Sequence, residues 1–391
     1  MKIAVVGGCG HVGLPLAVSL AAAGATVTAF DIDSNAVKMV NKGLPPFFEK
    51  NLEDTLLGVL GKSFSASVNP ESILDNDILI VIVGTPLDVH LNPDPNAVIE
   101  ALKEILPQIR DGQLLILRST VFPGVTRRVE LLINESGKKV RISFCPERIV
   151  EGEAMSELKL LPQIIGARDE ATFMESKAVF DLLGVTSIRT TPEEAELAKL
   201  FTNTWRYIKF AAANQFWMIA TEANIDYEKV RSAIRHDYPR ANDLPGAGFA
   251  AGPCLFKDTM QLAAFTSNNF PLGNAAMLVN EGQPNFIVDR LKHRYSLEEM
   301  SIGILGMAFK GESDDARSSL AYKLKRLLQF SSKAVLCSDP FVQDSTLLPL
   351  EEVLETADLL IIGAPHRVYA ELNSVKPVID IWNILGKGSV L

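Results

Sequence analysis

At 391 residues the chain is too long for one hydrophobic core, so two or three domains are expected. A hydrophobic fraction of 47% is typical of a globular protein, and no apolar run reaches the ~18 residues of a membrane span. The net charge of -9 argues against nucleic acid or an anionic membrane surface as a partner. The chain starts with a strand pattern and not with a signal-peptide pattern, and its cysteines lack metal-ligand spacing, so we expect a reduced, cytoplasmic protein without a bound metal.

The first predicted element is a strand that runs into a glycine-rich turn, G-C-G-H-V-G, and then a helix. We expect Gly8 to permit the tight turn, Gly10 to let the backbone approach a pyrophosphate, and Gly13 to let helix and strand pack closely. A second strand pattern ends at Asp31, whose carboxylate would bind ribose hydroxyls and repel the extra phosphate of NADP. This pattern predicts an NAD site formed by Gly8, Gly10, His11, Val12, Gly13 and Asp31.

Further apolar runs at 78–84, 114–120 and 141–147 are expected to be parallel strands buried on both faces. Polar residues follow each run, and ligands bind at the carboxyl edge of such a sheet. Turn chemistry or helix capping would explain any single one of these polar ends equally well. The candidate residues at this edge are Thr85, Pro86, Ser119, Thr120, Glu147, Arg148 and Glu151.

A long helix is predicted from Thr191, which fits the N-cap position, while Glu194 completes a capping box. No glycine or proline occurs from 193 to 226, so the helix can run for ~30 residues. Its apolar residues lie nearly all round, and we expect Trp205 and Trp217 to be exposed, either in a dimer interface or in a spine between domains.

Two polar residues of this helix, Lys199 and Asn203, lie four positions apart and therefore share one face. In a mostly apolar helix they are candidates for function. The structural alternative is a lysine that reaches out to solvent and an amide with a backbone partner. A shorter helix is expected from Asp226 to about residue 234.

The stretch from Gly246 to Asp258 reads G-A-G-F-A-A-G-P-C-L-F-K-D and surrounds Cys254 with small residues. Glycine lets a backbone come close to a ligand, and a thiol next to Lys257 and Asp258 is placed for chemistry. The alternative is that Cys254 is an unreactive core cysteine that precedes a helix.

The last third of the chain again alternates strand and helix patterns, with strands expected at 301–309, 334–339, 359–364 and 377–381. The first of these strands leads into Lys310 and Arg317. The predicted fold is therefore α/β, with two Rossmann-like parallel-sheet domains joined by a long central helix.

Six motifs occur in the order typical of one enzyme family: G-C-G-H-V-G with Asp31, R-S-T-V-F-P-G, P-E-R-I-V-E-G, A-E-L-A-K-L-F-T-N, G-F-A-A-G-P-C-L-F-K-D, and G-M-A-F-K with D-D-A-R-S-S. Over nearly its whole length the chain resembles the nucleotide-sugar dehydrogenases, which oxidise C-6 of a sugar attached to a nucleoside diphosphate. The resemblance implies NAD as cofactor, a nucleoside-diphosphate-sugar substrate, and a homodimer or higher oligomer. It implies an NAD-binding domain at 1–190, a dimerisation and active-site domain at 191–295, and a nucleotide-sugar-binding domain at 296–391.

The resemblance also implies a role for each matched residue, with Cys254 as the nucleophile. The residues implied to hold a water and handle protons are Asp258, Thr120 and Glu151, and those implied to stabilise an oxyanion are Lys199 and Asn203. The residues implied to meet the sugar nucleotide are Glu147, Arg148, Lys199, Asn203, Arg240, Gly248, Gly252 and Lys310. Arg240 would pass across a dimer to the neighbour's substrate, and Arg317 would reach toward the NAD phosphates.

These residue types suit a four-electron oxidation. Oxidising an alcohol to an aldehyde needs a base and a nicotinamide. The aldehyde gives up a second hydride only after a nucleophile has added, and a thiolate yields a thiohemiacetal and then a thioester, which water hydrolyses to a carboxylate. A cation such as Lys199 would favour the thiolate.

Two features resemble the UDP-N-acetylhexosamine branch of the family, with UDP-N-acetylmannosamine ahead of UDP-N-acetylglucosamine. They are the motifs P-E-R-I-V-E-G and L-P-Q-I-I-G, and the lack of any arginine after Arg367, where UDP-glucose enzymes often carry one. Three alternatives stay open: a UDP-glucose 6-dehydrogenase, a non-catalytic protein that binds NAD or a nucleotide-sugar, and a one-step dehydrogenase of a small hydroxy acid.

Overall fold

The short apolar runs of the sequence form the strands of two sheets in the computed structural model, which describes residues 1–85, 88, 93–389 and 391. The chain divides into two compact units, Met1–Thr202 and Asn203–Leu391. No helix in the described part of the chain is both long enough and apolar enough to cross a membrane.

The first unit contains an eight-stranded sheet with the strand order β3-β2-β1-β4-β5-β6-β7-β8. Its strands are β1 Lys2–Val6, β2 Thr26–Phe30, β3 Phe64–Ser67, β4 Ile78–Val81, β5 Leu114–Leu117, β6 Arg141–Phe144, β7 Gln163–Ala167 and β8 Ser187–Thr190. The six strands from β3 to β6 are mutually parallel, as the continuous apolar runs predict. The strand β7 is antiparallel to β6, and β8 is parallel to β7.

Helices cover both faces of this sheet. They are α1 Gly13–Ala22, α2 Ser34–Val40, α3 Leu52–Val59, α4 Ala97–Ile105, α5 Val125–Glu135, α6 Ala154–Glu157 and α7 Glu170–Asp181, followed by the start of α8, Pro192–Glu222. Ile3 and Val5 of β1 pack into one core cluster with α1 and α7, whereas Ala4 and Val6 pack into another with α4 and α5. Because successive strand residues point to opposite faces, this alternation produces a doubly wound layer.

Three strands of this sheet, β3, β7 and β8, are additions to the sequence prediction. The two edge strands, β3 and β8, read F-S-A-S and S-I-R-T and therefore lack a continuous apolar run. Their position at the edge requires burial on one side only, so their sequences carry a weak pattern.

The second unit contains a four-stranded parallel sheet with the order β10-β9-β11-β12. Its strands are β9 Ser301–Leu305, β10 Ala334–Ser338, β11 Leu359–Ile362 and β12 Val378–Ile379, and its helices are the rest of α8, α9 Tyr227–Arg235, α10 Leu255–Phe265, α11 Pro271–Arg294, α12 Leu320–Ser331 and α13 Leu350–Thr356. The prediction of a second, smaller Rossmann-like sheet is thus confirmed.

The long helix α8 starts with the predicted capping box. The Thr191 backbone N–H donates to Glu194 Oε2 at 2.7 Å, and the Glu194 N–H donates to Thr191 Oγ1 at 3.3 Å. The helix is 31 residues long. Its first turn packs closely on β7, since a Cβ on Gly166 would lie 2.7 Å from the Pro192 Cα.

The two tryptophans of α8 differ from the prediction that both are exposed. Trp205 is 57% exposed, but Trp217 is fully buried, and its Nε1 donates to the Ser389 carbonyl at 2.8 Å. Twelve helical residues correspond to about 120° of rotation, so the two side chains lie on different faces. The expectation for Trp217 was wrong because apolar content alone does not tell which side of a helix meets the core.

Candidate active site

The carboxyl edge of the parallel strands gathers most of the predicted residues of the first unit. The strands β1, β4 and β5 are adjacent, so the loops that follow them meet at one edge. The Val83 N–H donates to Ser119 Oγ at 2.8 Å, and Thr85 Oγ1 donates to the Thr120 carbonyl at 2.6 Å. These bonds join the ends of β4 and β5. The predicted Pro86 lies outside the described residues.

The glycine loop after β1 has the close contacts that its pattern predicts, with one change of role. The residue with left-handed φ, +77°, is Gly7 and not Gly8. A Cβ on Gly13 would lie 2.1 Å from the Gly7 carbonyl oxygen, which enforces glycine where α1 meets β1. A Cβ on Gly10 would meet nothing nearer than 3.8 Å, so this side of the loop is open. A loop of this shape at the positive end of α1 fits the pyrophosphate of NAD.

The carboxylate of Asp31 lies at the tip of β2 beside this loop. Its Oδ2 accepts a hydrogen bond from the Cys9 N–H at 3.0 Å, and its Oδ1 accepts one from the Asp33 N–H at 3.0 Å. Next along the loop, the His11 ring stacks on Phe47 with 4.1 Å between ring centroids. Val12 takes the N-cap position of α1.

The loop after β6, P-E-R-I-V-E-G, is shaped by carboxylates that bind its backbone. Glu147 is buried and forms an ion pair with Arg118, and its Oε1 accepts the N–H groups of Arg148 and Ile149 at 2.6 and 2.9 Å. The Gly152 N–H donates to Glu49 Oε2 at 2.7 Å. Both oxygens of Glu147 therefore have protein partners. Glu147 thus stabilises this loop, a role that the sequence prediction of substrate binding did not include.

The neighbouring Arg148 donates from Nη2 to the Pro162 carbonyl, and burial lowers the pKa of its guanidinium. Glu151 stands in the sequence between two residues whose backbone N–H groups bind carboxylates. The Val150 N–H donates to Glu157 Oε2 at 2.6 Å, and the Gly152 N–H donates to Glu49. On α8, Lys199 and Asn203 are both buried and one turn apart.

In the second unit, Cys254 occupies the N-cap position of α10 and is exposed. One turn later, Asp258 is 1% exposed, and its Oδ2 accepts a hydrogen bond from Asn203 Nδ2 at 2.6 Å. Among the described residues, Asp258 Oδ1 accepts no hydrogen bond, although Lys257 Nζ lies 3.7 Å away. A thiol at the positive end of a helix can act as a nucleophile. A buried carboxylate with one oxygen still able to accept a hydrogen bond can hold a water beside it.

The glycines of the cysteine loop are required where aromatic rings approach its backbone. A Cβ on Gly248 would lie 2.3 Å from the Trp382 ring, and one on Gly252 would lie 2.5 Å from the Phe309 ring. The Gly248 N–H donates to Oδ1 of Asn214, a buried residue of α8, at 3.0 Å. Close packing thus gives these two glycines a reason besides the predicted contact with substrate.

Three predicted cationic residues belong to the second unit: Lys310 and Arg317 lie in the loop after β9, and Arg240 lies in a one-turn 3-10 helix, Pro239–Ala241. Lys310 Nζ lies 5.9 Å from the centre of the Phe309 ring, and Arg240, which is exposed, lies 5.8 Å from that of Tyr238. The Arg317 guanidinium donates to the buried Asp315 carboxylate, with 2.6 Å between Nη2 and Oδ2.

Several residues that shape these loops were missed by sequence reasoning. They are Glu49, Arg118, Glu196 and Asn214, and each is a buried polar residue that bonds across a long sequence separation. For Glu196 and Asn214, a polar residue in a mostly apolar helix was the available signal, but the partner of such a residue cannot be read from the sequence.

The fold and these two groups of residues define an NAD-dependent dehydrogenase. Family models match three successive parts of the chain. They are those of the UDP-glucose/GDP-mannose dehydrogenase family: the NAD binding domain at residues 1–183, the central domain at 193–282 and the UDP binding domain at 303–387.

Individual proteins match over nearly the whole length. A UDP-N-acetyl-D-mannosamine dehydrogenase of Pyrococcus horikoshii is 32% identical over 99% of this chain and 93% of the relative. A solved UDP-D-ManNAc dehydrogenase from Pyrococcus horikoshii has a TM-score of 0.91 at 29% identity, covering 100% of this chain and 97% of the other. A UDP-glucose dehydrogenase structure from Pyrobaculum islandicum has a TM-score of 0.90 at 28% identity, covering 97% and 93%.

The chain therefore belongs to the UDP-glucose/GDP-mannose dehydrogenase family. It is an oxidoreductase with NAD as cofactor, and its C-terminal part matches a UDP binding domain.

The four thiols are expected to differ strongly in reactivity. Burial raises the pKa of Cys9 and of Cys145 to about 12 and that of Cys337 to about 11, so these stay protonated near neutral pH. At about pH 8, iodoacetamide should therefore alkylate Cys254 first, as read by peptide mass spectrometry. Cys254→Ala is the control and should abolish the fast phase. Labelling of any other cysteine at a comparable rate would contradict this assignment.

Proposed function

We propose that the enzyme oxidises the C-6 hydroxymethyl group of a UDP-N-acetylhexosamine to the uronic acid through a covalent intermediate on Cys254. The observation that carries the proposal is the exposed thiol at the head of α10, one turn before a buried Asp258 bound by Asn203. A one-step dehydrogenase has no need of this thiol. A non-catalytic binding protein has no need of the buried carboxylate, whose Oδ1 accepts no hydrogen bond from the described residues.

The first oxidation converts the C-6 alcohol to an aldehyde. When bound, NAD would supply the hydride acceptor for one oxidation, and a second NAD, exchanged for the NADH, would supply it for the other. We assign removal of the hydroxyl proton to a base, which can act through a water held by Thr120, Glu151 and Asp258. Lys199 would stabilise the negative oxygen at C-6, an effect that is large where water is excluded.

The second oxidation depends on Cys254. Its thiolate adds to the aldehyde carbon, forming a C–S bond and a thiohemiacetal, whose C–H hydrogen leaves as the second hydride to give a thioester. Water then attacks the thioester carbon, the C–S bond breaks, and the carboxylate and thiolate are released. Asp258 fits the task of orienting that water, because Asn203 fixes one of its oxygens and leaves the other as an acceptor.

Glu147, Arg148, Arg240, Gly248, Gly252 and Lys310 are proposed to line the sugar-nucleotide site, and Arg317 to reach the cofactor. The domain division proposed from the sequence, 1–190, 191–295 and 296–391, agrees in order with the three matching family models. We propose a cytoplasmic location, which the four cysteine thiols support.

Two observations favour an N-acetylhexosamine over glucose in the substrate. Curated relatives that are 32%, 31% and 29% identical to this chain are named UDP-N-acetyl-D-mannosamine dehydrogenases. The turn after β12 reads I-W-N and carries no arginine; its Trp382 packs instead on the backbone of Gly248 and donates from Nε1 to the Ile362 carbonyl at 3.1 Å. UDP-N-acetylmannosamine is the favoured substrate and UDP-N-acetylglucosamine the second.

A substrate panel tests this proposal. With NAD present, kcat/KM should be highest for a UDP-N-acetylhexosamine and lower by about tenfold or more for UDP-glucose and GDP-mannose, as expected when buried polar groups recognise the N-acetyl group. Formation of NADH is measured, and the product is identified by mass. A preference for UDP-glucose would contradict the substrate assignment, and lack of turnover of every nucleotide-sugar would contradict the function.

We also propose that a second copy of the chain covers the exposed face of α8. Four large apolar residues lie along this face: Phe201, Trp205, Phe216 and Ile219 are 55%, 57%, 48% and 56% exposed. The first and the last of them are 18 positions apart, or about 27 Å along the helix, which is long for an uncovered apolar stripe on a monomer. Two copies related by a twofold axis would pack this stripe against itself.

Light scattering tests the oligomeric state. The wild type should have at least twice the mass of the 42.6 kDa chain at micromolar concentration. Trp205→Glu should weaken or abolish the dimer because it places a charge in the apolar stripe. Phe330→Glu, at a surface position 94% exposed on α12, is the control and should leave the mass unchanged. A monomeric wild type would overturn the proposal.

A further inference from the structure

The first turns of α8 carry a buried carboxylate, that of Glu196, which is 1% exposed. Its Oε2 accepts a hydrogen bond from the Gly124 N–H at 2.7 Å. Its Oε1 accepts two more, from the Thr126 N–H at 2.8 Å and from Thr126 Oγ1 at 2.6 Å. Three donors therefore replace the water that this carboxylate loses on burial.

The donors belong to the N-terminus of α5, which has no side-chain cap of its own. The N-cap residue is Gly124, with a φ of +94°, and it makes no side-chain hydrogen bond. Glu196 thus caps α5 from another helix, and its negative charge lies at the positive end of the α5 dipole. The favourable field and the three bonds explain why a carboxylate is tolerated at this depth.

The segment that Glu196 binds also contains Thr120, four residues before Gly124. This segment is fixed at its other end, since Ser119 Oγ accepts from Val83 and the Thr120 carbonyl accepts from Thr85. The Glu196 contacts fix the end nearer α5. The backbone around Thr120 is therefore constrained from both sides.

Lys199 follows Glu196 by three residues on the same helix, so the two side chains lie on one side of α8, about one turn apart. We propose that Glu196 is a positioning residue that holds Lys199 of α8 in register with the loop that carries Thr120. This rests on the function proposed above, in which both residues serve the reaction. Glu196 itself touches neither substrate nor cofactor in this proposal.

The rival explanation is that Glu196 only anchors α8, and the chain offers a matched control for it. Glu193, one turn earlier, also joins α8 to the first unit through a carboxylate: its oxygens accept from Arg168 Nη1 at 2.8 Å and from Nη2 at 2.6 Å. This contact is half exposed and does not involve the donors that bind Glu196, so we expect its loss to weaken the helix anchorage without disturbing Lys199.

The experiment compares Glu196→Gln with Glu193→Gln in the full-length enzyme. Glutamine keeps the shape of Glu196, but its NH₂ group would face an N–H donor. We expect Glu196→Gln to lower kcat by about 10²-fold with a small change in KM, as expected for a misplaced catalytic group. NAD affinity should persist, and two NADH should still form per sugar, because both oxidations use Lys199. Glu193→Gln should keep near wild-type kcat.

A second pair of variants guards against misfolding. Thr126→Val removes the 2.6 Å bond to Glu196 without changing the shape of the residue, whereas Thr126→Ser keeps it. Thr126→Val should lower kcat, whereas Thr126→Ser should keep most of the wild-type kcat. The resonance of ¹³C-labelled Lys199, assigned with Lys199→Arg, gives a readout that needs no substrate. The chemical shift of this Lys199 resonance should change in Glu196→Gln and Thr126→Val and should remain unchanged in Glu193→Gln.

Equal losses of kcat in Glu196→Gln and Glu193→Gln would overturn the proposal in favour of simple anchoring. An unchanged Lys199 resonance in Glu196→Gln and Thr126→Val would also overturn it. If the wild type turned over no nucleotide-sugar, the proposed function would fail, while the Lys199 resonance would still decide whether Glu196 positions that lysine.

Discussion

Buried carboxylates bind the backbone amides of the loops around the candidate active site. A carboxylate taken out of water must find donors, and loop amides without secondary-structure partners must find acceptors. Glu147 and Glu49 meet this requirement at the loop after β6 and Glu196 at the start of α5, and the partly buried Asp31 binds the glycine loop in the same way. Side-chain carboxylates thus hold the backbone of each loop.

The same need of buried polar groups for hydrogen-bond partners gives α8 a role besides connecting the two sheets along the chain. Its buried face carries Glu196, Lys199, Asn203 and Asn214 among apolar residues, and Glu196, Asn203 and Asn214 form hydrogen bonds with loops or with a neighbouring helix. The partners are the N-terminus of α5, the Asp258 carboxylate and the backbone of the cysteine loop. Within each unit, the part of α8 that belongs to it therefore holds the functional segments that bond to it.

Local patterns predicted much of this fold and site. The strand, turn and helix around Gly13, the parallel runs, the capping box of Thr191 and the cysteine at the head of a helix all depend on neighbours in sequence. The sequence did not predict which side of a helix faces the core, nor which distant residues are the hydrogen-bond partners of buried polar groups. Trp217 looked exposed although it is core, and the residue with positive φ in the first loop is Gly7, whereas Gly8 was expected to permit the tight turn. The edge strands β3 and β8 were missed because they are little buried and lack a continuous apolar run.

The role of Cys254 separates a four-electron oxidation from a one-step dehydrogenase and from a non-catalytic binding protein. The most direct test is the ratio of NADH formed to sugar consumed, with the product identified by mass. The wild type should form two NADH and one carboxylate per sugar, with little aldehyde released. Cys254→Ala should keep the fold and bind NAD, while acid formation falls by orders of magnitude, as expected when a covalent nucleophile is lost. One NADH per sugar in the wild type, or near wild-type acid formation by Cys254→Ala, would contradict a covalent role for this thiol.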